Sequence, residues 1–319
     1  MQFFEGPEKK VEIVVAPSLR PLRALGRAVW ERVVARAQAR ILSVCSSEGC
    51  DAYLLSESSL FVFDDRVTMI TCGTTTLVEA AREMISFLPA EQIELLIYER
   101  KNEYFPRSQS SDFHDDARML NALIPGRAVR FGDADDHSIM LFHTVKPFQP
   151  RADDHTVEIL MHGLDEQAAE LFCAGGSVGS PEQALGLAAR TGVGALLPGY
   201  AIDEFVFEPA GYSLNAVRDD RYYTIHVTPE QVGSYVSFET NHVVAGDLVP
   251  LVERVIAIFR PRSFDLFTFS PEALAAAAVP GYRVRDHVVE QVTGFHVGFQ
   301  HLYRPVEGPR APIELPLKR

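Results

Sequence analysis

Leu54-Leu55-Ser56-Glu57-Ser58-Ser59-Leu60-Phe61-Val62-Phe63 is the stretch that decides the fold, together with Thr71-Cys72-Gly73-Thr74-Thr75 a few residues later. Apolar residues flank Ser-Glu-Ser-Ser on both sides, and another apolar run follows Asp64-Asp65. This pattern predicts short strands folded back on each other. Four small or polar residues stand where a buried strand would continue. Taken alone, such a tetrapeptide is typical of a solvated loop.

The composition is that of a globular protein with a sizeable core. The chain has 319 residues, of which 47% are hydrophobic, and this length is ample for one large domain. No apolar run approaches the roughly 20 residues that span a bilayer. The first ten residues have neither a basic region nor a long apolar run, so we expect no signal peptide. No linker divides the chain, and we predict a single domain over residues 1–319.

The net charge and the cysteines indicate which kinds of partner and which cellular compartment suit the protein. The net charge of −13 argues against nucleic acid and membrane as partners, because neither attracts an acidic protein. Cys45 and Cys50 lack the second Cys or His pair that a zinc site needs. The four cysteines show no disulfide framework and fit a reducing cytoplasm, which is the expected location: Cys45, Cys50, Cys72 and Cys173.

The first half of the chain is predicted to contain several strands and two helices. Apolar residues at helical spacing predict helices over about 21–38 and 74–87. The polar, turn-rich segment 99–117 predicts a surface loop. Strands are predicted over 11–16, 41–45, 53–55, 60–63, 67–71 and 93–98.

The second half repeats this order of elements. Helices are predicted over 165–172, 181–190 and 248–259, and Gly211-Tyr212-Ser213 is predicted to be a turn. The repeated order of strand, helix, hairpins, helix and strand indicates an internal duplication. Many antiparallel strands with few helices predict an α+β fold, with sheets face to face and helices outside. The predicted strands cover 157–161, 205–207, 222–227, 234–238 and 264–269, followed by alternating segments from 282 to 303.

Separate blocks of the sequence, in matching order, resemble one known family. The LSESS and TCGTT segments are similar to the self-cleavage region of the eukaryotic-type S-adenosylmethionine decarboxylases, which are pyruvoyl enzymes that cut their own backbone between Glu and Ser. The resemblance implies a four-layer αββα sandwich of two antiparallel sheets, built from two related halves. Further matching blocks cover nearly the whole chain: residues 3–9, 100–102, 120–122, 154–161, 211–213, 224–230 and 235–241.

The resemblance implies autocatalytic cleavage of the bond between Glu57 and Ser58. Ser58 would become the pyruvoyl cofactor, His226 would be the base of the elimination, and Ser213 would stabilise the intermediate. Cleavage would leave residues 1–57 as a small β chain and residues 58–319 as a large α chain.

The resemblance also implies the chemistry of the mature enzyme. The pyruvoyl carbonyl from Ser58 would form a Schiff base with the substrate amine and accept the electrons released as carbon dioxide departs. Cys72 would donate a proton to the substrate carbon, and Glu5 and Glu8 would lie at the active site.

Substrate recognition is implied by residues of suitable chemistry at the matching positions. S-adenosylmethionine presents a flat adenine, ribose hydroxyls and a sulfonium, which call for aromatic faces and a carboxylate. Phe4 and Phe207 would stack on the adenine and Glu230 would bind the ribose. By the same similarity, Leu55 and Glu57 would line this site.

An acidic cluster in the animal relatives binds putrescine as an activator, and four carboxylates here match it. The lysine that accompanies that cluster is replaced by Ile70. Because buried carboxylates need compensating cations, we expect either Arg100, as in plant relatives, or a diamine such as putrescine to supply the charge. The four carboxylates are Glu12, Asp154, Glu158 and Glu239.

Three functional hypotheses follow. The leading one is decarboxylation of S-adenosylmethionine to the aminopropyl donor for spermidine synthesis. An alternative on the same fold is a pyruvoyl-dependent ornithine or arginine decarboxylase. A non-catalytic regulatory paralogue predicts loss of Ser58, Cys72 or His226, and all three are present.

The sequence says less about metal binding and about the oligomeric state. Acidic patches with histidine at 112–116, 133–137 and 153–155 are typical of solvated loops, so we assign no metal. The sequence leaves open whether the cleaved unit is a monomer or a homodimer.

Overall fold

The protein is a sandwich of two antiparallel sheets with helices on the outside. The computed structural model describes residues 4–172, 186–230, 233–243, 248–306, 308 and 312. Each sheet has eight strands, and the two sheets come from the two halves of the chain. Within the described residues, no helix combines the length and the apolar composition needed to cross a membrane.

The first half supplies eight strands and three α-helices. The helices are α1 (Arg27–Arg36), α2 (Leu77–Phe87) and α3 (Phe113–Leu123). The strands are β1 (Lys9–Val15), β2 (Ile41–Ser46), β3 (Asp51–Leu55), β4 (Ser58–Val62), β5 (Arg66–Thr71), β6 (Ile93–Lys101), β7 (Gly126–Gly132) and β8 (Ser138–Thr144).

The second half supplies the other eight strands and further helices. The described α-helices are α4 (Glu166–Glu170), α5 (Leu187–Thr191) and α6 (Leu248–Phe259). The strands are β9 (Thr156–His162), β10 (Ala201–Val206), β11 (Tyr212–Arg218), β12 (Arg221–Thr228), β13 (Tyr235–Thr240), β14 (Ser263–Ser270), β15 (Arg283–Val292) and β16 (Phe295–Tyr303).

The two sheets have the same strand order. The first sheet runs β2-β3-β4-β5-β1-β6-β8-β7, and the second runs β10-β11-β12-β13-β9-β14-β16-β15. Adding eight to each label of the first sheet gives the second. The internal duplication predicted from the order of elements is therefore confirmed.

Strand alternation sends one set of side chains outward to the helices and the other set into the space between the sheets. On the outside of the first sheet, Val11 and Leu60 pack with Trp30 of α1. Between the sheets, Leu95 belongs to the same apolar cluster as Phe267 of the second sheet. The result is the predicted order of four layers: helices, sheet, sheet, helices.

One segment predicted as a loop contains a helix. The segment 99–117 begins with the end of β6 and includes the start of α3. Asp112 caps this helix, because its carboxylate accepts the backbone N–H of Asp115. Phe113, Ala117 and Leu120 are buried beneath it. The many Asp residues at its start made the segment look like a loop, although acidic residues are favourable in the first turn of a helix.

Two other local predictions need correction. Tyr212 and Ser213 begin β11 instead of forming a turn, because the chain has already reversed over residues 207–211. The first predicted helix is interrupted at Gly26, whose φ of 84° suits glycine and separates a short 3₁₀ turn from α1. Part of the predicted helix 181–190, and Cys173, lie outside the described residues.

Candidate active site

The Ser-Glu-Ser-Ser segment forms a tight turn that leads directly into a buried strand. Leu55 pairs with Ser58 across the hairpin, so Ser56 and Glu57 alone form the loop. Ser58 and Ser59 are 1% and 0% exposed, which corrects the interpretation of the tetrapeptide as a solvated loop. Ser58 has a φ of 121°, a conformation that costs free energy for any residue with a β-carbon. The Glu57–Ser58 peptide bond therefore lies at a strained position in an otherwise regular hairpin.

Cys72 touches both sides of the Glu57–Ser58 bond. Its backbone N–H donates to the Glu57 carbonyl oxygen at 3.2 Å, and the Ser58 hydroxyl donates to its sulfur at 3.3 Å. Burial raises the pKa of the Cys72 thiol to about 12, so the group keeps its proton at neutral pH. Cys72 can thus polarise the Glu57 carbonyl through its backbone and hold a transferable proton on its side chain.

His226 reaches this hairpin from the second sheet, but its nearest hydroxyl belongs to Ser59. The His226 Nε2 lies 2.8 Å from the Ser59 Oγ, and its Nδ1 lies 2.6 Å from a Glu8 carboxylate oxygen. Ser237 donates to the same Glu8 oxygen at 2.8 Å. Ser213 is buried and lies directly opposite His226 in the register of β11 and β12. The structure therefore brings the residues predicted for processing, Ser58, Ser213 and His226, to one region with the predicted proton donor Cys72, and adds Ser59 to them.

Lys9 anchors the turn that carries Cys72. Its ammonium donates to the carbonyl oxygens of Gly73 and Thr75, at 3.3 and 2.9 Å, and to the Gln109 amide oxygen at 2.6 Å. Burial, with a smaller contribution from the charge of Arg100, lowers the pKa of Lys9 to about 8. Below that pH all three hydrogen bonds can form, whereas a neutral amine has only two N–H groups.

Replacing Lys9 by arginine should remove an alkaline limit on the rate. In the wild type, the catalytic rate should fall as the pH rises through about 8, because Lys9 loses a proton and the turn loses a hydrogen bond. Arginine stays charged over this range, so the rate of Lys9→Arg should hold to higher pH. The measurement is kcat against pH for both proteins, with Lys9→Met expected to be slow throughout. The same alkaline decline in the wild type and Lys9→Arg would contradict this role.

Phe4 and Glu230, two of the residues predicted to bind the substrate, lie beside this turn. The Phe4 ring lies against Gly73, where an added β-carbon would come within 3.1 Å of it. The Phe4 backbone N–H donates to the Glu230 carboxylate at 2.8 Å. Phe4 is 41% exposed, so one face of its ring can accept a flat ligand. Phe207 is half-buried in the turn that precedes β11, and its ring packs against Phe205, an exposed aromatic residue that the sequence did not single out.

Two other predicted site residues, Glu5 and Leu55, have side chains that bind or pack against the protein itself. Both carboxylate oxygens of Glu5 accept backbone N–H groups, from Tyr104 and Phe105, each at 2.7 Å. Glu5 therefore fixes the loop after β6. The side chain of Leu55 is fully buried in the core beneath the helices, and its backbone pairs with Ser58, so only its backbone adjoins the site.

A buried cluster of charges, here called the charge cluster, lies between the sheets beside Glu8. Lys10 binds Glu158 and Glu239 at 2.8 and 3.1 Å. Lys101 binds Glu99 and Glu158 at 2.8 and 2.9 Å. Burial raises the pKa of Glu239 to about 8, while the charge of Lys10, 3.1 Å away, acts to lower it. Each of these three carboxylates thus has an ammonium group within 3.1 Å.

The charge cluster continues along β1 to Glu12. Arg66 forms a bidentate pair with Asp154, at 2.7 and 2.8 Å, and lies 3.5 Å from Glu12. The four predicted carboxylates are therefore brought together, but the prediction that Arg100 compensates them is wrong. Arg100 instead pairs with Glu103 and with Asp116 of α3. Lys10 and Arg66 were not predicted from the sequence. Side chains alternate along a strand, so Lys10 points to the same inner face of the sheet as Glu8 and Glu12, and Arg66 of β5 points to that face as well.

A second polar cluster surrounds Asp265. Its carboxylate lies 2.6, 3.0 and 3.2 Å from imidazole nitrogens of His301, His137 and His162. The prediction that His137 lies in a solvated patch is therefore wrong. The rings of His137 and His301 are stacked 4.0 Å apart at an interplanar angle of 19°. Lone pairs of such parallel rings do not converge on one point, so this arrangement suits N–H donors to a carboxylate better than ligands of one metal ion.

Comparison with known proteins places this geometry in a family. The family model described as adenosylmethionine decarboxylase matches residues 1–303. The chain belongs to the adenosylmethionine decarboxylase family. It is similar to the S-adenosylmethionine decarboxylase proenzyme of Dictyostelium discoideum, with 33% identity over 93% of this chain and 83% of the relative. The proenzyme of Xenopus laevis is 32% identical over 93% of this chain and 94% of its own length.

A solved structure supports the same fold. The crystal structure of the Trypanosoma brucei AdoMetDC-delta26 monomer matches with a TM-score of 0.60 and 24% sequence identity. The match covers 77% of this chain and 99% of that one. The two-sheet sandwich expected for an adenosylmethionine decarboxylase is therefore the fold of this protein.

Proposed function

We propose that this protein is an S-adenosylmethionine decarboxylase that cleaves itself between Glu57 and Ser58. The product of the decarboxylation is the aminopropyl donor for spermidine synthesis. The observation that carries the proposal is the convergence of Ser58, Cys72 and His226 on one strained hairpin turn, in a member of this family. Cleavage gives a β chain of residues 1–57 and an α chain of residues 58–319.

Self-cleavage begins with attack of the Ser58 hydroxyl on the Glu57 carbonyl, which converts the amide to an ester. The Cys72 backbone N–H, 3.2 Å from the carbonyl oxygen, stabilises the negative charge that develops there. A base then removes the α-proton of residue 58, the Cβ–O bond breaks, and Glu57 leaves as a free carboxylate. His226 is that base, and the Glu8 carboxylate at its Nδ1 stabilises the imidazolium that forms. Hydrolysis of the resulting dehydroalanine releases ammonia and leaves a pyruvoyl group.

The residues around position 58 fit such a group. When present, the pyruvoyl carbonyl supplies the electron sink for loss of carbon dioxide. Before cleavage the Cys72 thiol lies 3.3 Å from the Ser58 Oγ and keeps its proton. It therefore lies beside the position of the pyruvoyl group, where its proton can be delivered to the substrate carbon. Phe4 presents an exposed aromatic face beside this turn, and Glu230, bound to the Phe4 backbone, supplies a carboxylate for the ribose hydroxyls.

Substrate choice is tested by carbon dioxide release from S-adenosylmethionine, ornithine and arginine, each supplied alone. We expect release from S-adenosylmethionine only, and a large increase in KM for Glu230→Gln. The conservative variant Glu79→Gln, on the exposed face of α2, is the matched control. Release from ornithine or arginine would instead support the alternative decarboxylase on the same fold, and no release from a fully cleaved sample would support the regulatory paralogue.

We also propose that putrescine is not required as an activator. In the charge cluster, Lys10, Lys101 and Arg66 already bind the carboxylates that a diamine would neutralise. The rate with saturating putrescine should therefore equal the rate without it, measured as carbon dioxide release from the cleaved protein. A several-fold stimulation would show that the internal cations leave a diamine site available.

A further inference from the structure

Ser59 has surroundings that the cleavage chemistry described above does not use. It follows the scissile bond directly and is fully buried. Its hydroxyl lies 2.8 Å from His226 Nε2, 2.6 Å from the side-chain oxygen of Asn215, and 3.4 Å from the Thr224 hydroxyl. With Glu8 on the other imidazole nitrogen, the order serine, histidine, carboxylate is that of a nucleophile–base–orienter triad.

The Asn215 amide decides which way the protons in this network point. With its oxygen towards Ser59, its buried NH₂ group has no hydrogen-bond partner among the residues that the structure describes. The oxygen and nitrogen of an amide are assigned from such networks. Turning the amide over places the NH₂ within hydrogen-bond distance of the Ser59 and Thr224 hydroxyls, at the positions 2.6 and 3.0 Å away. After this turn, the Asn215 side chain leaves one carbonyl oxygen unpaired in place of two N–H donors. A buried unpaired carbonyl oxygen costs less free energy than buried unpaired N–H groups.

The turned amide orients the hydrogen bond between Ser59 and His226. Ser59 receives a hydrogen bond from Asn215, and its own proton is directed at His226 Nε2, 2.8 Å away, in preference to the Thr224 hydroxyl, 3.4 Å away. Thr224 still donates to the Leu214 carbonyl oxygen at 2.9 Å. In this arrangement His226 Nε2 accepts from Ser59, and Nδ1 is the nitrogen that donates to Glu8. An acceptor nitrogen directed at the proton donor is what a general base requires.

We propose that Ser59 relays the α-proton of residue 58 to His226, and that Asn215 is the positioning residue that keeps the Ser59 hydroxyl donating to the imidazole. This inference rests on the proposed self-cleavage. As the ester eliminates, the α-proton passes to the Ser59 oxygen while the Ser59 proton passes to His226 Nε2. The electron pair of the Cα–H bond forms the Cα=Cβ bond, and the Cβ–O bond breaks to release the Glu57 carboxylate. Ser59 ends as a neutral hydroxyl and His226 as an imidazolium facing Glu8.

The test follows chain cleavage of the full-length precursor by mass after cell-free synthesis, with hydroxylamine added to trap the ester. The wild type should cleave to two chains. Ser59→Ala should slow elimination by about 100-fold and accumulate an ester that hydroxylamine opens after Glu57. Ser43→Ala, which removes a hydroxyl that binds Asp203 across the sheets without touching His226, is the matched control and should cleave like the wild type.

Two substitutions of Asn215 separate hydrogen-bond direction from packing. Asn215→Asp preserves the shape but turns the donor into an acceptor, so Ser59 would point its proton away from His226. Asn215→Ala loses packing but leaves Ser59 free to donate. We expect Asn215→Asp to cleave at least 10-fold more slowly than Asn215→Ala, and to speed up as the pH falls, because a protonated carboxyl can donate again. A purely structural role predicts the opposite order of the two variants.

The outcomes distinguish this inference from the function on which it rests. Absence of cleavage in the wild type would overturn the proposed function. Cleavage of the wild type together with wild-type rates in Ser59→Ala, or an Asn215→Asp variant no slower than Asn215→Ala, would overturn the relay and leave the proposed function intact.

Discussion

Replacing Ser58 by alanine should leave the protein as one uncleaved chain with no decarboxylase activity. Alanine has no hydroxyl to attack the Glu57 carbonyl, so neither the ester nor the pyruvoyl group can form. The expected loss of carbon dioxide release is complete, because without the pyruvoyl group the reaction has no electron sink. The two readouts are chain masses after denaturation and carbon dioxide release from S-adenosylmethionine.

Ser56→Ala is the matched control for this prediction. Ser56 belongs to the same tetrapeptide. Its hydroxyl accepts the backbone N–H of Arg40 at 3.0 Å and donates to the Glu57 side-chain carboxylate. Neither bond involves the Glu57 carbonyl group, so loss of the hydroxyl should leave cleavage intact. Cleavage of Ser58→Ala at the Glu57 bond, or carbon dioxide release from it, would show that another residue supplies the nucleophile.

Replacing Lys10 by methionine should destabilise the fold by about 3–5 kcal/mol, because it removes one partner of a buried ion pair. Methionine fills much of the space of the lysine stem, but it removes the ammonium partner of Glu239 and leaves Glu158 paired with Lys101. Burial by itself lowers the pKa of Lys10, but the charges of Glu158 and Glu239 raise it well above its ordinary value. The stabilisation is therefore fully present at neutral pH and is lost only at pH values above the ordinary pKa of lysine, about 10.4.

The measurement is urea unfolding in the Ser58→Ala background, where every variant is a single chain. Lys146→Met is the matched control, since Lys146 is largely exposed and its pair with Glu94 should contribute less than about 1 kcal/mol. Added putrescine should restore part of the stability of Lys10→Met, since it brings ammonium groups to the unpaired carboxylates. A monoamine of similar length should restore less. A loss below about 1 kcal/mol would mean that the carboxylates take up protons at little cost when Lys10 is absent.

The fold could be predicted from the sequence where the signals are local. The hairpin around Ser58 depends on short apolar runs and turn residues, and the duplication depends on the order of such elements along the chain. The helix α3 was missed because its buried face, with Phe113 and Leu120, is interrupted by acidic residues that serve as its cap and first turn. Local composition does not distinguish a capped helix start from a solvated loop.

The site could be predicted only in part, because its contacts join the two halves. Ser59 and His226 are 167 residues apart, and neither shows in the sequence that it meets the other. Consecutive lysines at positions 9 and 10 resemble a solvated pair, yet both are buried, on opposite faces of β1. The groups that bind these two lysines come from other parts of the chain. Which buried charges pair with each other is therefore decided by the packing of the sheets and cannot be seen in the local sequence.

The equal strand order of the two sheets has a consequence for the origin of the active site. Three of the contacts between the sheets join a strand to its own counterpart: β2 with β10, β3 with β11, and β7 with β15. Such self-matching contacts are the signature of a two-fold dimer, so the present chain has the geometry of two fused copies of a half-length ancestor. In such an arrangement β4 and β12 are equivalent strands, yet they carry different residues: Ser58 and Ser59 lie on β4, and His226 lies on β12.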